Sequence, residues 1–582
     1  MMIDSRISRR SLLALGGLSA ASVALPAWAR GGSIMAQDVR KGFDEARGPA
    51  IDLHVAHTNF AVSGRAGHAV AVNGSIPGPL LRLQEGSSVR LAVHNMLGED
   101  TSIHWHGLLV PFQLDGVPGV SFPGIKTGKT FVAEFPVRQS GTYWWHSHSG
   151  LQEQMGHYGP IVVDPAGSDP IEVTRDYVVV LSEFSPMHPH VIFDKLKKAE
   201  GYFNYQKRTW SDDYPLTDKE RREWARMRMM PTDILDVTAS TYTYLLNGHG
   251  PKDGLEYAFR PGERVRLRFI NAGAMTFFNV RIPGLPMSVV HVDGQAVSPV
   301  EVDEFQIGPA ETYDVVVEPG AIDAYTLVAE AMDRSGMGVA TLASQPGARA
   351  SVPALRSPPI LTMADMGHGA MGDGDGAHKG HDMGGGNDMD MSGGMKMRDT
   401  SLLPPTVDAG VGVDMVAMNP VSGIDDPGLG LRDVDHRVLT YADLKAAKRN
   451  KDPRRPSRRM DIHLTGNMER YMWSFDGKKF SAVADEPIRF AHNERVRVKL
   501  VNDTMMAHPI HLHGHFFELV NGAPEGHQPL KHTVAVQPGK SVEFDLTADE
   551  PGDWAFHCHL LYHMHAGMFQ IVTVSNPSGD DA

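Results

Sequence analysis

The sequence has 582 residues, a formal net charge of −14 at pH 7 and an apolar content of 42%, enough to bury several domain cores. Its acidity disfavours nucleic acid as a partner and mildly favours cations. The departures from ordinary usage are 30 methionines, 29 histidines, 60 glycines and 39 prolines beside a single cysteine, Cys558, so no disulfide can form within the chain.

The chain opens on a basic head, Arg6, Arg9 and Arg10, followed by the apolar run Leu12–Leu25 and the small-residue site Ala27-Trp28-Ala29. That is the pattern of an export signal over residues 1–29, cleaved before Arg30. The pair Arg9-Arg10 behind Ser8 reads as a twin-arginine signal, so the mature protein is expected in the periplasm. The apolar run is too short and too rich in Gly, Ala and Ser to span a bilayer, and no later stretch reaches spanning length. A soluble monomer without stable membrane insertion is expected. The leader carries three Arg and one Asp, so its loss takes the formal charge from −14 to −16.

Beyond it, frequent Gly and Pro among short Val-, Phe- and Tyr-containing runs argue for β-sandwiches. A repeat sharpens this. Gly86-Ser-Ser-Val-Arg-Leu, Gly262-Glu-Arg-Val-Arg-Leu and Asn493-Glu-Arg-Val-Arg-Val each open a strand-like run, and each is followed at the same spacing by Asn95, Asn271 or Asn502. At a further fixed spacing stand His104, Val280 and His511. Later runs align as TYWWHSH from Thr142, AYTLVAE from Ala324 and DWAFHCH from Asp553. The middle copy thus has Val280 and Ile282, then Val328 and Glu330, where the outer copies carry histidine pairs. The fold class is all-β, with three copies of one sandwich over residues 48–167, 171–350 and 436–582 and a linker at 351–435. Only the first and third copies can hold metal between them, which leaves the middle one as spacer and scaffold.

Two insertions interrupt the pattern. LTDKERREWARMRMM, from Leu216, reads as a helix with Thr217 as N-cap and acidic residues in the first turn; its Met227, Met229 and Met230 read as packing residues. Met363–Met397 holds eight methionines, three histidines (His368, His378, His381), six aspartates and eleven glycines. That composition cannot build a core and is expected to be disordered. Exposed thioethers are soft ligands that select Cu(I), so the tract is a candidate copper collector.

Four H-x-H pairs carry the chemistry: His104/His106, His146/His148, His511/His513 and His557/His559. In an extended strand each pair puts two imidazoles on one face, and the flanking Thr, Tyr, Trp, Ile and Phe favour strands. Cys558 lies inside the last pair, with His563 and Met568 following in HCHLLYHMHAGM. Two imidazoles, a thiolate and a weak thioether make a blue-copper ligand set. Cys558 points away from its two neighbours, so a metal on it is joined through two peptide links to whatever His557 and His559 hold.

These motifs resemble those of the multicopper oxidases. Within that family, LDGVPGVSFPGI, GTYWWHSHSGLQEQ, the twin-arginine leader and the methionine-rich insert look most like the periplasmic copper-resistance group. The resemblance implies cupredoxin-like domains and four copper ions. A blue copper would sit on His508, Cys558 and His563 with Met568 axial, and a second mononuclear copper on His104 and His511. A coupled pair would take His106, His146, His148, His513, His557 and His559. Asp115 matches an acidic residue that related oxidases place near the cluster as a proton donor, with a structural Asp-Gly turn as the plain alternative. Some relatives have a glutamate where this chain has Met564, and neighbouring His565 could serve instead.

The implied reaction is one-electron oxidation of a donor coupled to four-electron reduction of O2 to water. Met332 and Met337 from the middle copy, with Met505, Met506 and Met564 beside the blue-copper ligands, are candidates to receive Cu(I). Buried gap-filling is the ordinary role of methionine. Together with the tract they favour a cuprous oxidase. A laccase-like oxidase of phenols or aromatic amines is the alternative enzyme, and copper sequestration the alternative outside enzymes.

Overall fold

Strand Ala50–Val62 turns Ile51, Leu53 and Val55 inward between exposed neighbours, the two-residue period of a strand with one wet face. In the computed structural model, which describes residues 39–204, 217–227, 230–367 and 398–575, this strand is central to a six-stranded sheet. A five-stranded sheet carrying Gly141–His146 and His104–His106 faces it, and the two share one apolar cluster. The same division recurs twice. A six-stranded and a five-stranded sheet follow between Arg175 and Ala343, then a seven-stranded and a five-stranded sheet toward the C-terminus. The expected export signal and residues 368–397 of the tract lie outside the described residues.

In every sandwich the strands of interest belong to the five-stranded sheet. His104 pairs with His146, His511 with His557 and Ile510 with Cys558. Gly141–His146 is buried along its whole length, because its second face meets the neighbouring sandwiches rather than water.

The repeated asparagines explain the shared geometry. Each donates its side-chain amide to two carbonyls across the strand bend: Asn95 to Glu99 and Ile125, Asn271 to Thr276 and Ile307, Asn502 to Met506 and Val536. The middle bend is one residue longer, since Asn271 reaches Thr276 rather than residue 275. The ladder registers this shift: Arg281, not Val280, pairs with Val328 as His104 pairs with His146. Arg281 and Pro283 therefore replace Val280 and Ile282 as the middle copy's counterparts of His104 and His106. The conclusion that this copy has no ligand pair stands.

The middle sandwich grips both others. Arg268 donates to Thr142 Oγ1 at 2.8 Å, and Thr312 donates to the Thr142 carbonyl at 3.0 Å, fixing a ligand strand of the first. Asp293 accepts from the amides of His532 and Thr533 at 3.2 Å and pairs with buried Lys531 at 3.1 Å, fixing the third.

Three further features differ from the sequence reading or bound it. The insertion helix runs Asp218–Met227 behind Thr217, with Trp224 buried; Met229 lies outside the described residues. Residues 363–367, expected within a disordered tract, form a turn in which Met366 is fully buried and Asp365 pairs with Arg432. The linker is anchored too: Val421–Ser422 adds a short parallel strand beside Lys540–Ser541. Among the described residues no helix is long and apolar enough to cross a membrane.

Candidate metal centre

Eight imidazoles meet where the first and third sandwiches face each other: His104, His106, His146 and His148 from one, His511, His513, His557 and His559 from the other. The rings of His106 and His511 stack at 3.8 Å and those of His104 and His513 lie 3.9 Å apart. Five of the outward nitrogens are occupied, whereas His106 Nδ1 has no partner among the described residues. Nδ1 of His104 donates to the Asp115 carbonyl at 2.8 Å, of His511 to the His532 carbonyl at 2.7 Å, and of His557 to the Cys558 carbonyl at 3.0 Å. His513 Nδ1 donates to the Asp115 carboxylate at 2.9 Å, and His146 Nδ1 faces Glu153 Oε2 at 2.7 Å. The inward nitrogens are not. Nε2 of His104, His106, His146, His148, His511 and His559 has no hydrogen-bond partner among the described residues, and those of His513 and His557 face each other at 3.1 Å.

Buried polar atoms are almost always paired, so this many converging lone pairs point to an absent electrophile. Burial first, and mutual repulsion second, hold the pKa of His106, His146, His148, His511, His513 and His559 well below the ordinary value; burial holds His557 at about 4. These seven imidazoles are therefore neutral and ready to ligate at neutral pH. Neutral nitrogen donors suit copper and its neighbours in the first transition row, and do not suit magnesium or calcium. The donor set fits the copper implied by the motifs.

A second constellation lies across the Cys558 peptide. Its Sγ is 3.5 Å from His508 Nδ1, which is 3.3 Å from His563 Nδ1. Thr504 Oγ1 already donates to Asn502 Oδ1, so it accepts from His508 Nε2 at 2.7 Å and leaves Nδ1 free. His563 Nε2 donates to Asp236 Oδ2 at 2.8 Å, with the same result. Trp473 stacks on His563 at 3.8 Å. The helix Leu561–Ala566 turns His563 back toward Cys558, and Gly567, at φ +129°, ends it. Met568 is then fully buried, and its carbonyl accepts from the Cys558 amide at 3.1 Å. Burial pushes the Cys558 thiol up, so ligation must displace its proton.

Asp115 is more than a turn residue. Its carboxylate lies 3.2 Å from His104 Nδ1 and 2.9 Å from His513 Nδ1, orienting one imidazole from each sandwich. Met332, Met505 and Met506 are buried in the apolar core, where packing accounts for them, while Met337 and Met564 stay half-buried. His565 is exposed.

Four participants escaped the sequence reading. Asp236 comes from the middle segment, and Tyr471 also donates to its Oδ2 at 2.5 Å. Glu153, raised well above the carboxylate range by burial and by Glu183, touches His146. Met275 Sδ accepts from the Tyr562 amide at 3.5 Å. His532 sits against His106 with Nε2 unpartnered. His532 follows a buried lysine beside a strand, the one local signal available for any of them.

Three sequence profiles described as "Multicopper oxidase" match residues 54–168, 208–347 and 453–578. The chain is 44% identical over 570 residues to Copper resistance protein A of Escherichia coli, covering 91% of this chain and 93% of that protein. It is 44% identical over 621 residues to Copper resistance protein A of Pseudomonas syringae pv. tomato, covering 98% and 100%. A laccase structure from Botrytis aclada matches with a TM-score of 0.60 at 20% identity, over 94% of this chain and 90% of that one. That likeness concerns the fold, which is all-β with cupredoxin-like sandwiches.

Proposed function

The chain belongs to the multicopper oxidase family, a family of oxidoreductases, and from that premise we propose that it oxidises Cu(I) at the expense of O2 in periplasmic copper tolerance. The name of the relatives at 44% identity, Copper resistance protein A, supports the setting, and the twin-arginine leader supports export. The domain limits remain 48–167, 171–350 and 436–582 in this reading.

The observation that carries the donor assignment is Asp236. His563 is fully buried, so its edge is closed to a bulky aromatic donor, and Asp236 covers it at 2.8 Å. One oxygen, Asp236 Oδ1, has no partner among the described residues. A buried carboxylate with a free oxygen recruits a cation, which suits a metal-ion donor better than a phenol.

His508, Cys558 and His563 with Met568 would hold one copper, and the eight clustered imidazoles three, supplying one-electron acceptance and O2 reduction respectively. The chain's own part is positional. Asp236 fixes the His563 ring and offers the approaching cation a counter-charge. Cys558 is joined through its backbone to His557 and His559, the shortest covalent connection between the two donor sets. Asp115 holds the tautomers of His104 and His513, and Glu153 that of His146. The tract at 363–397 would gather Cu(I) on its thioethers.

The test is steady-state O2 uptake with Cu(I) and with a bulky phenol, for the wild type and Asp236→Asn. Cu(I) oxidation should fall about 10–100-fold, the usual cost of losing such a supporting carboxylate, while phenol oxidation is slow in both proteins. Unchanged Cu(I) kinetics with a faster phenol reaction would establish the laccase-like alternative. Uptake that stops at a stoichiometric copper load would establish sequestration.

A further inference from the structure

Outside the eight-imidazole cluster, four more histidines lie together, three of them on the wall of one cavity. It has a volume of about 350 Å³ and is lined by His57, Glu99, His148, His188 and His190 among others. Antiparallel pairing sets Asn59 opposite His68, so His57, two residues away on the same face, lies diagonal to His68. The chain entering the middle sandwich is pressed onto this hairpin at a glycine: a Cβ on Gly67 would lie 2.7 Å from Pro186 Cα. That close approach delivers His188, which then caps the helix Pro189–Leu196.

The rings form a continuous row. His57 Nδ1 and His68 Nε2 are 3.0 Å apart, the rings of His68 and His188 stack at 6.2 Å, and those of His188 and His190 at 5.4 Å. Burial, with repulsion from neighbouring imidazoles, lowers His57 below the ordinary value and His188 to about 4, and burial lowers His68. These three imidazoles are neutral at pH 7. Neither core packing nor the catalytic cluster uses these side chains, and all four are half-buried or exposed.

We propose that His57, His68 and His188, with His190 and the Glu99 carboxylate on the same cavity wall, bind a copper(II) ion additional to those of the catalytic centre. Two imidazoles each about 2.0 Å from one ion at right angles stand roughly 2.9 Å apart, which the His57–His68 separation already meets. Imidazole and carboxylate donors suit copper(II), and among divalent first-row ions it binds such sites most tightly. The cavity exceeds the roughly 30 Å³ share of one water many times over, so an ion and its waters fit. The binding is independent of whether the enzyme's donor is Cu(I) or a phenol. An ion held here shares the cavity wall with His148.

The experiment uses the full copper-loaded protein, dialysed to equilibrium against copper(II), with copper counted per chain and the copper(II) resonance examined for nitrogen splitting. The tract contributes equally to all variants and cancels in the difference. Wild type should hold one more copper(II) than His57→Ala/His68→Ala at equal blue absorbance, and the imidazole splitting of that ion should vanish in the variant. His188→Asn keeps the helix cap and should weaken the same ion. Equal counts and an unchanged spectrum in the double variant overturn the proposal. Should the double variant lose its blue colour through misfolding, His188→Asn decides, and an unchanged copper(II) Kd there overturns it.

Discussion

At one strand position the three sandwiches carry His148, Glu330 and His559, and their surroundings separate two kinds of buried polar group. His148 and His559 present an Nε2 with no partner among the described residues. Glu330, fully buried, accepts from Arg334 at 2.8 Å, from Arg356 Nε at 2.7 Å and from the Arg356 amide at 2.9 Å. The same backbone frame therefore holds a carboxylate with both oxygens paired in the middle and open donor sets on either side. A buried carboxylate paired at both oxygens contributes to structure, and donors that leave lone pairs converging imply a ligand.

The largest effect should come from removing the one thiol. Cys558→Ser should abolish the blue absorption and lower O2 turnover on the order of a thousandfold or more, equivalent to about 4 kcal/mol of barrier, while copper remains on the eight imidazoles. Ala329 occupies the corresponding middle position. Ala329→Cys should create no blue band, because Phe278 stands there in place of His508. A blue band in either variant would break the comparison.

Next in size is the middle network. Glu330→Ala strips the buried Arg334 of its carboxylate, while half-buried Arg356 keeps Glu304, and should cost about 3–5 kcal/mol of stability, read as a lower Tm, with the blue absorption of the folded fraction intact. His148→Ala should do the opposite in the copper-free protein, leaving Tm nearly unchanged while abolishing O2 reduction once loaded. Asp115→Asn sharpens the contrast at smaller amplitude. It keeps the shape but removes the charge facing His104 and His513, and O2 reduction should fall about 10–100-fold with the blue copper still reducible by donor. The smallest change is expected from Met568→Leu, which should keep the colour and raise the reduction potential, measured by redox titration; loss of that copper would show Met568 to be indispensable to the site.

The histidine pairs and the lone cysteine were legible because strand periodicity is local: H-x-H puts two rings on one face whatever the rest of the chain does. The repeat was legible for the same reason, through its asparagines. The one-residue error at Val280 arose where that logic fails. A bend lengthened by one residue leaves the asparagine in place and shifts everything after it, and only the pairing of Arg281 with Val328 exposes the slip. The turn around Met366 escaped for a related reason, since low-complexity composition says nothing about a single methionine finding a core.

The sequence by itself determined the candidate donor types, their H-x-H spacing, the sandwich class and the absence of histidine pairs from the middle copy, because all of these follow from composition and short-range spacing. Tertiary structure decided which carboxylates attend the ligands, how the donor atoms converge and where a second histidine row forms. Asp236 reaches His563 across 327 residues and Asp115 reaches His513 across 398. No periodicity links groups so distant in the chain; they meet only because three separately folded sandwiches press their buried faces together.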